Sequence, residues 1–304
     1  MEIYSESVIR VNPGRGNGFR FLYNSPLFCY HGAMKSPKEL SSEKKLLSLF
    51  EEGSVPGKLA HLLTHDAEIQ NIQEYGNNVS IRRLGFNDHG PVHMRQVAIN
   101  AIRMLQILHK AGIQMSLEKE AAGTFEDSTC AVLLAAFMHD LGMTIGRQDH
   151  ELMSAIIAKP IIRRLLESMP QIDAGRRIVI ECMALEGIVG HMATRKIHSL
   201  EAGLVLIADG CDMQKGRARI PLALNSGGQE AHYGDIHKYS ANSIQKVTIT
   251  EGEKKPIRIT VQMTGEVGCF QIEEVLIPKI NMSPSKQFLE LVAVIGEDKE
   301  RYYL

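Results

Sequence analysis

His93, the pair His139-Asp140, His150, His191 and Asp209 follow one another along the chain as metal-binding side-chain types, each in or beside an apolar helical stretch. The middle of the series runs Cys130-Ala-Val-Leu-Leu-Ala-Ala-Phe-Met-His139-Asp140-Leu-Gly142. It sets an imidazole and a carboxylate side by side at the end of a helix that otherwise reads as core. Asp is almost never fully buried unless it is paired. An unpaired carboxylate in an apolar interior costs several kcal/mol or takes up a proton. Asp140 therefore calls for a cation. Gly142 reads as the helix stop, which puts Asp140 in a last turn facing the negative end of the macrodipole and sharpens the demand. Asp209 repeats the case in Glu201-Ala-Gly-Leu-Val-Leu-Ile-Ala-Asp209-Gly-Cys-Asp212, after another unbroken apolar run. A divalent ion removes both penalties. Mixed His/Asp ligation suits Mn, Fe, Co, Ni or Zn and gives Mg only modest support.

Such side chains need a helical frame, and the apolar spacing supplies one. A helix is expected from Pro91, a residue suited to a first turn, to Gly112, with Val97, Ala101, Met104, Leu105 and Leu108 as its core stripe. His93 lies four residues before Val97 and shares that buried face. Further helices are expected over about 128–141, 150–168, 176–190 and 199–213, with a kink at Pro160. Residues 1 to about 40 read as an irregular arm, and 41 to about 75 as helical with Ser41-Ser-Glu-Lys as a cap. After about residue 240 the period turns from helical to alternating. Strands are expected at Ile244–Thr250 and Ile257–Met263, a helix over 268–281 and a strand at Phe288–Ile295, with 225–239 as the joint. The fold class is mainly α: an arm and helical segment (1–80), an all-helical domain (81–225) and a small α/β, ββαβ-like module (240–304). The module has no clustered His, Asp or Glu, and is expected to serve dimerisation or effector binding.

Bulk properties narrow the function classes. The 304 residues carry a net charge of −1, so no strong nucleic-acid field exists and any polyanion must be held locally. No window approaches the roughly 18 apolar residues of a membrane span, and no leader pattern opens the chain. A cytoplasmic protein with no membrane partner is expected. Five cysteines are scattered without a Cys-x-x-Cys pair, so a disulfide framework or zinc ribbon is disfavoured. Cys130 and Cys182 are expected to be small buried thiols. Twelve histidines against no tryptophan fits a metalloprotein better than a generic globule.

The order His93, His139-Asp140, Asp209 resembles the HD superfamily of metal-dependent phosphohydrolases over residues 85–220. The stretch Ala208-Asp209-Gly-Cys-Asp212-Met-Gln-Lys-Gly216-Arg-Ala-Arg219 is similar to a segment of ribonuclease Y-like HD proteins. The phrases Asn87-Asp-His-Gly-Pro-Val-His93 and Lys215-Gly-Arg-Ala-Arg-Ile-Pro221 are similar to those of a prokaryotic group of HD phosphohydrolases. The resemblance implies an all-helical HD domain and a mononuclear core of His93, His139, Asp140 and Asp209. Dinuclear members add two histidines in the intervals occupied here by His150 and His191, with the first Asp bridging two ions. His198 is the runner-up to His191. His89 falls where some members have a further ligand, for a third metal or a substrate contact. The activity implied is hydrolysis of a phosphate ester of a nucleotide, cyclic nucleotide or short nucleic acid by a metal-activated hydroxide, in a homodimer. Arg147, Lys215, Arg217 and Arg219 are candidates to hold the phosphate, and Asp212 a candidate supporting residue beside Asp209.

Two departures qualify the match. Many members read His-Asp-x-Gly-Lys, whereas this chain has Met143 at the Lys position; Arg147 is the candidate substitute. The Gly-Tyr-Pro motif of cyclic-di-GMP-specific members is absent after His191. Two rivals share the ligand order: a di-iron oxygenase of the myo-inositol oxygenase type, and a catalytically silent nucleotide-binding regulator.

Overall fold

The computed structural model describes residues 35–213, 234–296 and 299–304, and the account that follows concerns the unit Ser36–Leu304. The N-terminal arm lies outside the described residues. Three helices open this unit: α1 (Pro37–Leu47), α2 (Val55–His65) and α3 (Ala67–Asn78). The cap of α1 is Ser36, whose Oγ accepts from the Glu39 amide at 3.2 Å, so the expected Ser41 cap is instead inside the helix. Helix α4 (Pro91–Lys110) starts with Pro91 in its first turn, where the missing N–H has no cost. After a short α5 (Ser116–Lys119) comes α6 (Phe125–Met138).

Helix α6 is the hub. Thr124 caps it reciprocally with Asp127, and every residue from Asp127 to Met138 is buried. Three more helices follow, α7 (His150–Glu167), α8 (Ala174–Gly190) and α9 (Leu200–Cys211), with Asp173 capping α8 and Ser199 capping α9. A helix apolar all round has no solvent face to offer and must be wrapped; α2, α4, α8 and α9 pack around α6. Helix α7 runs through Pro160. Among the described residues no helix is long and apolar enough to cross a membrane.

Helix α10 (Gly234–Ser243) begins within the expected joint, of which 225–233 lie outside the described residues, and leads directly into the sheet. Strands β1 (Ile244–Glu251), β2 (Ile257–Met263), β3 (Leu289–Ile295) and β4 (Lys299–Tyr302) are ordered β1-β2-β3-β4. The β1–β2 and β3–β4 pairs are antiparallel and β2–β3 is parallel, in register from Ile257↔Leu289 to Met263↔Ile295. A parallel pair needs a crossover. It is a helical run over 266–282 that ends in α11 (Ile277–Met282) and packs on α9. The fold is thus mainly α with a small α/β module, to which β4 adds one strand beyond expectation.

The module seats on α9 through two glycines seven residues apart, hence two turns along one face. A Cβ on Gly203 would lie 2.5 Å from Ser283 Oγ, and one on Gly210 3.1 Å from both Leu276 Cδ1 and Lys279 Cδ.

Candidate metal centre

Five helix ends deliver the ligand-type side chains to one point. His93 projects from the first turn of α4, His139 caps the C-terminus of α6 and Asp140 follows it. His150 is the first residue of α7, His191 caps α8, and Asp209 lies in the last turn of α9. Three groups of donor atoms, His93/His139/Asp140, His139/His191/Asp209 and Asp140/His150/His191, each lie within 4.8 Å of one another. His139 and His191 are fully buried, His93 and His150 nearly so, and Asp140 is 3% exposed.

Asp140 divides its two oxygens. Oδ2 lies 3.5 Å from His93 Nε2 and 3.4 Å from His139 Nε2. Oδ1 lies 3.0 Å from His150 Nε2 and 3.2 Å from His191 Nε2. Asp209 joins the first half, with Oδ1 3.2 Å from His93 Nε2 and 3.8 Å from His139 Nε2. Ligand atoms about 2.0–2.2 Å from one ion stand roughly 3–3.5 Å apart. The donor separations therefore match the edges of coordination polyhedra.

The imidazoles are already turned for this task. His139 Nδ1 lies 2.9 Å from Ala136 O, His191 Nδ1 2.7 Å from Ile188 O and His150 Nδ1 3.0 Å from Arg147 O. A carbonyl only accepts, so each Nδ1 carries the proton and each Nε2 presents a lone pair. For His139 and His191 the acceptors are last-turn carbonyls, which have no partner within the helix. The helix ends thus select the tautomer. Asp212 performs the same service for His93, with Oδ2 2.7 Å from Nδ1. The Nε2 atoms then face each other across 3.2 Å (His93, His139) and 3.0 Å (His150, His191). Lone pairs converging at such distances, with two carboxylates among them, are a donor set for divalent cations. The buried His/Asp groups can hold metal ions.

Electrostatics agree. Burial opposes the charge on Asp140, yet His139 beside it and the imidazoles of His150 and His191 at its other oxygen hold its carboxyl well below the usual range. Burial likewise opposes ionisation of Asp209, and Lys279, His139 and His93 overcome it. Burial pushes His191 down to about 4, so it is neutral and ligand-ready near pH 7. His139 goes the other way: burial resists its charging, but Asp140 and Asp209 raise it. The field that attracts a proton to His139 attracts a metal cation more strongly.

Other expected site residues fall elsewhere. His89 stays outside all three groups; its Nδ1 is tied to Asn87 O at 2.6 Å and Ser80 Oγ at 2.9 Å, and its ring centroid is 5.8 Å from that of His93. His198 is exposed, so of the two rivals it is His191 that reaches the cluster. Arg147 sits at the margin of the second half, its guanidinium 5.7 Å from the Phe86 ring and 3.7 Å from the sulfur of Met192, next to His191 in sequence. Lys215, Arg217 and Arg219 lie outside the described residues. Met143 is fully buried, so the position held by lysine in many HD proteins faces the core. Gly142 has an ordinary backbone conformation and is needed for space: a Cβ there would lie 2.1 Å from His150 O.

The sequence reading missed Lys279. Its Nζ donates to Asp209 Oδ2 and, at 2.9 Å, to His191 O, and the residue is 8% exposed. The module expected to serve dimerisation or effector binding thus also reaches the ligand-type cluster. A signal existed in hindsight: Gly210 directly follows Asp209, and a glycine in a buried helix marks a close approach.

No family model matches the chain, and no solved structure matches it significantly. A protein of Methanocaldococcus jannaschii described as uncharacterized protein MJ1020 is 38% identical over 245 residues, which cover 81% of this chain and 91% of that one. With identity over nearly the whole of the archaeal protein, the chain belongs to the same family as MJ1020.

Proposed function

We propose that this chain is an HD-superfamily phosphohydrolase, hydrolysing a phosphate ester of a nucleotide, cyclic nucleotide or short nucleic acid with two divalent ions. The observation that carries the reading is the division of Asp140: one carboxylate offers separate oxygens to two pairs of histidines. A single structural ion needs one closed ligand set, not two open ones sharing a bridge. Ions bound there would supply Lewis acidity toward a phosphoryl oxygen and lower the pKa of water at neutral pH.

The chain's own residues supply orientation and charge. His93, His139, Asp140 and Asp209 hold the first position; His150, His191 and Asp140 hold the second. The Nδ1 protons, locked by carbonyls and Asp212, keep all four rings from turning away. Arg147, at the margin of the second half, is the described cation we assign to the phosphate, and Lys215 and Arg219 join it in the proposal. A phosphorylated small molecule as substrate, a homodimeric assembly and a cytoplasmic site of action complete the reading.

The test is phosphoester hydrolysis by Mn-loaded full chain across mononucleotides, cyclic dinucleotides and short RNA, beside Asp140→Ala. Turnover abolished by the substitution is the expected result. Bound metal with no hydrolysis of any of these substrates, or turnover that survives Asp140→Ala, contradicts the proposal.

A further inference from the structure

Lys279 touches both halves of the ligand set. Its ammonium donates to Oδ2 of Asp209, which belongs to the first half, and to the backbone oxygen of His191, which belongs to the second. Both acceptors need it: Asp209 is a carboxylate with 11% side-chain exposure, and the His191 carbonyl lies where α8 has ended. With Oδ2 occupied, Asp209 presents Oδ1 alone toward the Nε2 atoms of His93 and His139.

The delivery of that ammonium is built into the module. A parallel β2–β3 pair requires a crossover, and a helical segment of this one, α11, carries Lys279. Gly210 leaves room for the lysine stem against α9, and Gly203 seats the turn at Ser283 and Ser285 on the same face. The stem is buried along this contact while the charge is spent at the metal-type cluster, an arrangement a solvated surface lysine does not have.

We propose that Lys279 is a positioning residue of the metal centre: it fixes Asp209 as a one-oxygen ligand and ties the two halves together, which makes the C-terminal module part of the centre. The inference rests on the metal reading above. Partners that orient ligating carboxylates typically affect metal affinity by about 10–100-fold. Deleting the ammonium frees Asp209 to rotate and leaves its partly buried outer oxygen without that partner.

The experiment is a cobalt(II) titration of metal-stripped full-length protein, following the visible d–d bands, for the wild type, Lys279→Met, Lys279→Gln and Lys279→Arg, with circular dichroism as the check on folding. We expect Lys279→Met and Lys279→Gln to raise the cobalt dissociation constant about tenfold or more and to change the band shape, with Lys279→Arg recovering most of the loss. The band shape reports ligand geometry, which a purely packing role would leave unaltered. Folded Met or Gln variants that bind cobalt as tightly as the wild type, with superimposable bands, overturn the inference while leaving the metal reading standing. If the Met variant fails to fold, the Gln variant carries the comparison. A folded wild type that binds no cobalt overturns both.

Discussion

Asp212 reaches back across the end of α9 to hold His93, its Oδ2 2.7 Å from Nδ1, while its own amide closes on the carbonyl of Asp209 at 3.0 Å. One residue thereby links two ligands that are far apart in sequence. Removing the carboxylate frees the imidazole to rotate and to exchange tautomers. Asp212→Ala is predicted to weaken metal retention by about 10–100-fold, and Asp212→Asn by less, because an amide oxygen still accepts from Nδ1. Competition with a chromophoric chelator measures this, and equal affinity in the Ala variant would show that His93 is held by other means.

The two fully buried histidines at helix C-termini titrate in opposite directions. Burial takes His191 down to about 4 from the usual imidazole value near 6.5. Between those values the unfolded chain binds a proton that the folded one does not, so this residue lowers stability as pH falls through that window. His139 is raised, with Asp140 and Asp209 outweighing burial. Its contribution is fully present below about 6.5 and is lost as pH rises through the folded value. Imidazole NMR of metal-free protein at about pH 5 should find His191 neutral with the proton on Nδ1, and His139 charged. A His191 that titrates near 6.5 would contradict the account.

Gly142 lets α7 approach the turn that carries Asp140. A Cβ there would stand 2.1 Å from His150 O and 2.7 Å from the Ser154 amide, both backbone atoms with nowhere to go. Gly142→Ala is predicted to destabilise the fold by roughly 2–3 kcal/mol and to displace His150 from its place beside Asp140. Thermal melts with and without added metal read both effects. A variant with unchanged melting temperature and unchanged stabilisation by metal would refute the steric argument.

Thiol reactivity should separate the cysteines by depth. Burial, reinforced by Asp127 at Cys130 and by Asp212 and Asp209 at Cys211, pushes both thiols well above their usual range. Cys182, expected to be buried, is exposed because it lies on the outer side of α8. Iodoacetamide at neutral pH should modify Cys182 at least about tenfold faster than Cys130 and Cys211, as read by peptide mapping. Comparable rates at all three positions would mean that the core around α6 and α9 opens far more readily than its packing implies.

The ligand series was legible because buried charge is conspicuous in a sequence: Asp140 and Asp209 each end an apolar run, where only a cation can stabilise them. The helices were legible for the same reason, their apolar faces being continuous. Lys279 was not legible, because nothing in a local period says that a lysine 70 residues beyond Asp209 folds inward. Its inward path depends on the parallel β2–β3 pairing, a non-local feature. Cys182 erred the other way: its neighbourhood in sequence is apolar, yet it rotates out of the core. For His89 the sequence did not show the ties of its Nδ1 to Asn87 and Ser80. Gly142 was identified as a helix stop, but what makes it necessary is the backbone of α7 passing against it.

In the proposed dinuclear centre, Asp140 joins two histidine pairs. The most direct test of that bridge is the metal content of the folded chain after reconstitution and desalting, by inductively coupled plasma mass spectrometry, for the wild type, His150→Ala and Asp140→Ala. The account predicts about two divalent ions per wild-type chain, about one in His150→Ala and fewer still in Asp140→Ala. A folded wild-type chain that retains no metal, or an Asp140→Ala chain that retains as much as the wild type, would contradict it.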